Sequence, residues 1–177
     1  MTRRTAVPLA IAAVSLVAIV LLLLVPQLVA RAQADARIVV APGETVESNG
    51  YSFTLTASQE FVGEGTEPGG NSIPRGDSLV AALIVVKVVG EVPGDDETLV
   101  CDVELTSRTS EPQRVWAQVT DLALFGYEKG EDRTAYCSLD GEEFELESVF
   151  LTPTGVYDSA TIDLTVGDDQ FRLQLER

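Results

Sequence analysis

Two cysteines, Cys101 and Cys137, and a large surplus of carboxylates are the side chains with which this 177-residue chain could do chemistry. There is no histidine. Its absence removes the commonest general base, the Ser-His-Asp and Cys-His nucleophile arrangements, and every zinc or iron site built on imidazole. No G-x-x-x-x-G-K-[ST], G-x-G-x-x-G or G-x-S-x-G spacing occurs either, so phosphate cradles, dinucleotide fingerprints and nucleophile elbows are missing as motifs. Redox thiols favour a close C-x-x-C pair with a lowered pKa, and Cys101 and Cys137 are far from that spacing. An even pair in an oxidising compartment reads instead as a structural disulfide, worth roughly 3–4 kcal/mol for a loop of this length in the chain-entropy account.

Carboxylates remain. With 28 Asp and Glu, two will come within glycosidase-type reach of each other by chance, and nothing in their spacing singles out a pair. The densest groups are Asp95-Asp96-Glu97, Glu142-Glu143 with Glu145 and Glu147, and Asp168-Asp169. Each adjoins a turn signal, and none follows the D-x-[DN]-x-[DN]-G spacing of a calcium loop. They read as solvated turns and strand faces, so the expectation is no catalytic residue, no metal and no cofactor. Trp116, between the cysteines, is expected to pack in the core near the bridge, and Tyr127 and Tyr157 are the tyrosines expected at the surface.

What positions these groups begins after an apolar tract. From Leu9 to Ala30 the chain is Ala, Val, Ile and Leu, interrupted by Ser15, Pro26 and Gln27, and roughly 20 apolar residues suffice to cross a bilayer. The expected organisation is a cytoplasmic tail (1–8), a transmembrane signal anchor in the lipid bilayer (9–30), a polar linker (31–37) and one extracytoplasmic domain (38–177). The alternative is secretion after cleavage, because Ala30-Arg31-Ala32 and Ala32-Gln33-Ala34 both fit a small-residue cut site, although the tract is longer than a usual signal-peptide core. Arg3 and Arg4 before the tract balance Arg31 and Arg37 after it; the α-amino group and the exported character of the rest favour an outward C-terminus. All 28 acidic residues lie beyond the tract, in a chain of net charge −16. With no Lys/Arg stripe, nucleic acid is excluded as a partner, and the domain is repelled from anionic headgroups. Ten of the twelve basic residues are arginine, a bias that suggests a GC-rich bacterial genome.

The periodicity beyond the tract is that of strands. Tyr51, Phe53, Leu55 and Ala57 alternate with polar residues, as a half-buried strand requires. The Val/Ile-rich run Leu79 to Val89 reads as a central strand buried on both faces. Leu99, Cys101, Val103 and Leu105 share an inward face, which places Cys101 in or beside the core. Further strands are expected at 113–120, 122–127, 134–139 and 143–151, the last two as a hairpin about Asp140-Gly141. Segments 161–166 and 170–176 form a terminal hairpin about Gly167-Asp168-Asp169. With 38–40 these make eight or nine strands and no amphipathic helix, so the expected fold is all-β, an Ig-like antiparallel β-sandwich. The longest stretch without strand signal, 59–77, is rich in Gly and Pro. It is predicted to be a mobile binding loop, with Phe61 and Ile73 as apolar anchors and Arg75 beside them.

The runs GYSFTLTAS (50–58), GDSLVAALIVVKVVG (76–90), VFLTP (149–153) and ATIDLTVG (160–167) resemble the telokin-like Ig-fold domains of exported, membrane-anchored proteins of Gram-positive bacteria, over about 41–176. The order Cys101, Trp116, Cys137 is immunoglobulin-like only superficially, because Tyr136 adjoins the second cysteine where a tyrosine corner stands two residues before it. The resemblance implies an envelope interaction domain without established catalysis and contributes no site residues. The expected function is therefore a non-catalytic, membrane-anchored extracytoplasmic binding domain of the bacterial cell envelope, with an envelope protein or polymer as partner. One alternative is an accessory subunit of a membrane transporter or secretion complex, in contact through small residues such as Ala6, Ala10 and Ala13. The other is a carboxylate-based hydrolase.

Overall fold

A computed structural model of the chain describes residues 37–65, 72–91, 99–107, 113–139 and 142–176. The chain divides into Met1–Arg37 and a compact unit, Ile38–Arg177. The expected tail, span and linker up to residue 36 lie outside the described residues, among which no helix is long and apolar enough to cross a membrane.

The compact unit is a β-sandwich of two sheets. Its strands are β1 (Ile38–Val40), β2 (Thr45–Ser48), β3 (Tyr51–Val62), β4 (Asp77–Val88), β5 (Leu99–Ser107), β6 (Arg114–Trp116), β7 (Arg133–Thr134), β8 (Ser138–Leu139), β9 (Phe144–Pro153), β10 (Ala160–Val166) and β11 (Asp169–Gln174). The first sheet runs β1-β11-β10-β5-β6, with β8 also beside β5; the second runs β2-β3-β4-β9-β7. Most pairings are antiparallel, but β1 lies parallel to β11 and β7 parallel to β9, which corrects the wholly antiparallel expectation.

Period-two alternation builds the core as anticipated. Phe53, Leu55, Ile84, Val86 and Phe150 of the second sheet meet Val103, Leu105, Ile162, Leu164 and Leu173 of the first. The β4 run is buried on both faces because its inner residues Val80, Ile84 and Val86 join the core between the sheets, while its outer residues Leu79 and Ala81 join a second, smaller apolar cluster with Ile73 and Val149. Two hairpins turn on the residues that such turns demand. Asn49 and Gly50, at φ 52° and 81°, supply the two positive φ values of a type I′ turn between the paired Ser48 and Tyr51. Gly167-Asp168 closes β10 onto β11 in the expected terminal hairpin.

Three local expectations are corrected. The stretch 113–127 is not strand beyond Trp116: the chain leaves the first sheet, Gln118 bridges to Phe150 of the second, and Leu122–Phe125 forms a 3-10 turn. Short apolar runs cannot be assigned by periodicity alone, and here Leu122 and Phe125 face the outer cluster. The arms about Asp140-Gly141 are not a hairpin either. Ser138 and Leu139 pair with β5 in one sheet while β9 pairs with β4 in the other, and the dipeptide itself lies outside the described residues.

The predicted loop 59–77 is shorter than expected. A register shift between Leu55 and Ala57 lets β3 continue to Val62 against β4, and the hairpin persists where the Gly63 N–H donates to Asp77 O (2.8 Å) and the Gly65 N–H to Ile73 O (3.1 Å). Gly63 is required there, because a Cβ on it would stand 2.1 Å from Pro74 O and 2.8 Å from Asp77 O. Gly63→Ala is expected to destabilise the unit by roughly 1–3 kcal/mol, the usual scale of overpacking, seen as a lower urea midpoint with an unchanged slope.

Candidate functional site

The outer face of the second sheet carries the polar site. Along β9, Glu145, Glu147 and Val149 share this face, opposite Leu146 and Phe150. Val149 belongs to the outer apolar cluster; Glu147, one pleat on, is only 4% exposed. A buried carboxylate has to be hydrogen-bonded, and a single covering segment does it. Tyr127 Oη donates to Glu147 Oε1 (2.6 Å), Arg133 Nη1 to the same oxygen (3.2 Å), and the Gly130 N–H to Oε2 (3.2 Å). Arg133 Nε also donates to Glu145 Oε2 (3.2 Å), beside which β7 places it in register. The segment is seated further back by the Val119 N–H, which donates to Val149 O (2.8 Å).

The electrostatics follow from burial. Desolvation, then the hydrogen bond to Glu147 and the charge of Glu147, push the Tyr127 phenol well above the ordinary tyrosine range, against a smaller opposing effect of Arg133. Desolvation alone would lower the Arg133 pKa, but the charge and hydrogen bonds of Glu147 and Glu145 raise it. Removing the phenol hydroxyl in Tyr127→Phe leaves a buried acceptor one donor short, with an expected cost of about 1–2 kcal/mol. It also changes the pH profile. Above about pH 10 an unfolded tyrosine loses its proton while folded Tyr127 keeps it, so the folded state binds the extra proton and stability falls as pH rises. Denaturant midpoints taken from neutral to strongly alkaline pH should show a shallower fall in Tyr127→Phe.

Beside this latch lies a groove of about 860 Å³. Its lining includes Val85 and the edge-to-face pair Phe61 and Tyr127, with centroids 5.4 Å apart and planes at 74°. Among the described residues, Glu128, Glu131, Asp132, Glu143, Glu145 and Glu147 line it, against Lys87 and Arg133. Among the described residues no group of three or more His, Cys, Asp or Glu is arranged to hold a metal ion.

The residues singled out from sequence scatter. Phe61 is half-buried at the groove, and Ile73 is only 2% exposed inside the outer cluster, so Ile73 is a packing residue and not a projecting anchor. Arg75 is exposed on the turn before β4 and does not line the groove. Cys101 and Cys137 form the disulfide, with Cα atoms 5.3 Å apart and both residues buried in the main core, against which Trp116 packs. Tyr127 and Tyr157, expected at the surface, are half-buried, Tyr157 Oη donating to Ser58 O (3.1 Å), and the exposed tyrosine is Tyr136, at 73%. Glu147, expected on a solvated face, is buried.

Sequence reasoning also missed a second buried ionic group, on the outer face of the first sheet. Arg172 Nε and Nη2 donate to the two Asp163 oxygens (2.8 and 3.1 Å), and Thr106 Oγ1 donates to Asp163 Oδ2 (3.1 Å). The signal was there: the two-residue turn Gly167-Asp168 sets a register that puts Asp163 opposite Arg172.

No protein-family model matches the chain, and no curated protein is similar enough to match. Among solved structures, an uncharacterised β-sandwich protein of Clostridium difficile 630 is similar, at 12% identity and a TM-score of 0.45, over 79% of this chain and 95% of that one.

Proposed function

We propose that the chain is a non-catalytic, membrane-anchored interaction domain of the bacterial cell envelope, Ig-like in the sense of the strand runs it shares with telokin-like domains. The acidic groove over the second sheet is its contact surface, and the partner is an envelope protein or polymer that presents cationic groups. The groove carries this reading. Among the described lining residues, six carboxylates against two cations make a negative field that steers a cationic partner and rejects an anionic one. The Phe61 and Tyr127 rings offer apolar surface to the methylene stem of a lysine or arginine. The latch on Glu147 fixes the groove wall in advance, which lowers the ordering cost of binding. The apolar tract at 9–30 supports retention at the membrane, and the disulfide supports an oxidising compartment.

The test is crosslinking in intact cells, followed by identification of what is captured and by mass determination of the chain in membrane and medium fractions. The expected outcome is a full-length chain in the membrane fraction and partners that are lost when the exposed Glu128, Glu131 and Asp132 are all changed to lysine. Recovery of nothing beyond lipid and the chain itself overturns the interaction. Loss of the partners on scrambling the span, with the groove intact, transfers the contact to the membrane helix and so to the transporter-subunit reading.

A further inference from the structure

The tip of the β2–β3 hairpin is chemically as well as conformationally unusual. Asn49 is the one non-glycine residue with positive φ among the described residues, and its amide is part of a clasp. Nδ2 donates to Ser48 Oγ (2.8 Å) and to Val166 O (3.4 Å), and Ser48 Oγ donates to Asp169 Oδ2 (2.7 Å). Ser48 belongs to the second sheet, while Val166 and Asp169 flank the terminal hairpin turn of the first. The clasp therefore fastens the tips of two hairpins across the sandwich.

The residue after Asn49 is Gly50, and a glycine leaves its own backbone nitrogen unhindered. That nitrogen can attack the Asn49 side-chain carbon. A bond forms between the Gly50 nitrogen and the Asn49 Cγ, the Cγ–Nδ2 bond breaks, the proton lost by the Gly50 nitrogen is made up on the departing amide, which leaves as ammonia, and a five-membered imide closes. Water then opens the ring at either carbonyl, giving aspartate, or isoaspartate with the main chain routed through the former side chain. Water is the sole co-reactant, no electrons are exchanged, and the Asn49 side chain is exposed to it.

Either product damages the clasp. A carboxylate has no proton to donate to Ser48 Oγ or Val166 O, and it brings a second negative charge to a serine hydroxyl already committed to Asp169. Isoaspartate also lengthens the main chain inside a two-residue turn that sets the pairing of β2 with β3. We infer that Asn49 is a site of spontaneous deamidation, and that its conversion unfastens the two sheets at this end.

The purified full-length chain, held in mildly alkaline buffer and sampled over weeks, tests this by peptide mass mapping and isoaspartate-specific methylation. The expected result is the mass gain of amide-to-acid exchange in the peptide carrying Asn49. It should rise with pH and run ahead of any gain at Asn71, which is followed by the bulkier Ser72. Asn49→Asp should lower the urea midpoint, and Asn49→Gln, whose side chain does not close the same ring, should show no early gain. A peptide that gains no mass ahead of Asn71 overturns the site. An Asn49→Asp variant with an unchanged midpoint overturns the unfastening.

Discussion

Replacing Arg172 by methionine is expected to destabilise the sandwich by about 3–5 kcal/mol, the scale for removing one partner of a buried ion pair. Asp163 and Arg172 are 4% and 6% exposed, and the guanidinium meets the carboxylate through two nitrogens and two oxygens. Bidentate geometry makes this among the stronger charge-assisted contacts. Methionine fills the volume of the arginine stem but leaves the Asp163 charge in a place from which water is largely excluded. The cost therefore comes from the charge left behind more than from the bond that is lost. The matched change of both residues, Asp163→Leu with Arg172→Met, should recover most of the loss, because an apolar pair replaces a desolvated ionic one at little net penalty. Urea unfolding of the two single variants and the double variant measures the coupling. A double variant as unstable as the worse single would show that Thr106 and the other polar neighbours of this face need the charges.

The second large effect is expected from the disulfide. Changing Cys101 and Cys137 together to alanine should cost about 2–5 kcal/mol, mainly by releasing the unfolded chain from a constraint across a sequence separation of 36. Geometry says where the folded state will give. The cysteines extend a ladder in which, among the described residues, β8 is held to β5 by two residue pairs, so the bridge is a main support of β8 in the first sheet. The covering segment over the groove has its own attachments: Tyr127, Gly130 and Arg133 on Glu147, and β7 on β9. Amide hydrogen exchange should therefore show lost protection at Ser138 and Leu139 and retained protection at Gly130, whose N–H is bonded to Glu147. Equal loss at both places would mean that the bridge, and not the carboxylate, seats the segment.

Legibility from sequence followed the range of the interaction. Alternation in 51–57, 99–105 and 161–174 was enough to identify strands and their inward faces, because period two is a property of each strand alone. The two-sheet arrangement followed from the count. The Asn49-Gly50 turn went unread although that dipeptide is a strong hairpin signal, because the strand before it, Thr45–Ser48, is too polar to stand out. Asp140-Gly141 carried the same signal and misled, because turn chemistry does not say whether the flanking strands share a sheet. Glu147 was misjudged for a different reason. It follows the acidic run Glu142, Glu143 and Glu145, of which the first two are exposed, and its burial depends on Tyr127, Gly130 and Arg133 arriving from another part of the chain. A carboxylate in phase with Val149 and Leu151 on one face of the strand was the clue, and it becomes decisive only once a covering segment is known.

The pairing of β1 with β11 has a mechanical meaning. These strands run in the same direction and are joined at Ile38–Phe171, Val39–Arg172 and Val40–Leu173. Tension that draws the start of β1 one way and the end of β11 the other slides the two strands along each other. All three register pairs then bear the load at once, whereas an antiparallel terminal pair pulled from the same side would part link by link. Were the chain held at its N-terminal side as proposed, the first and last strands of the sandwich would be oriented to resist traction by sharing it.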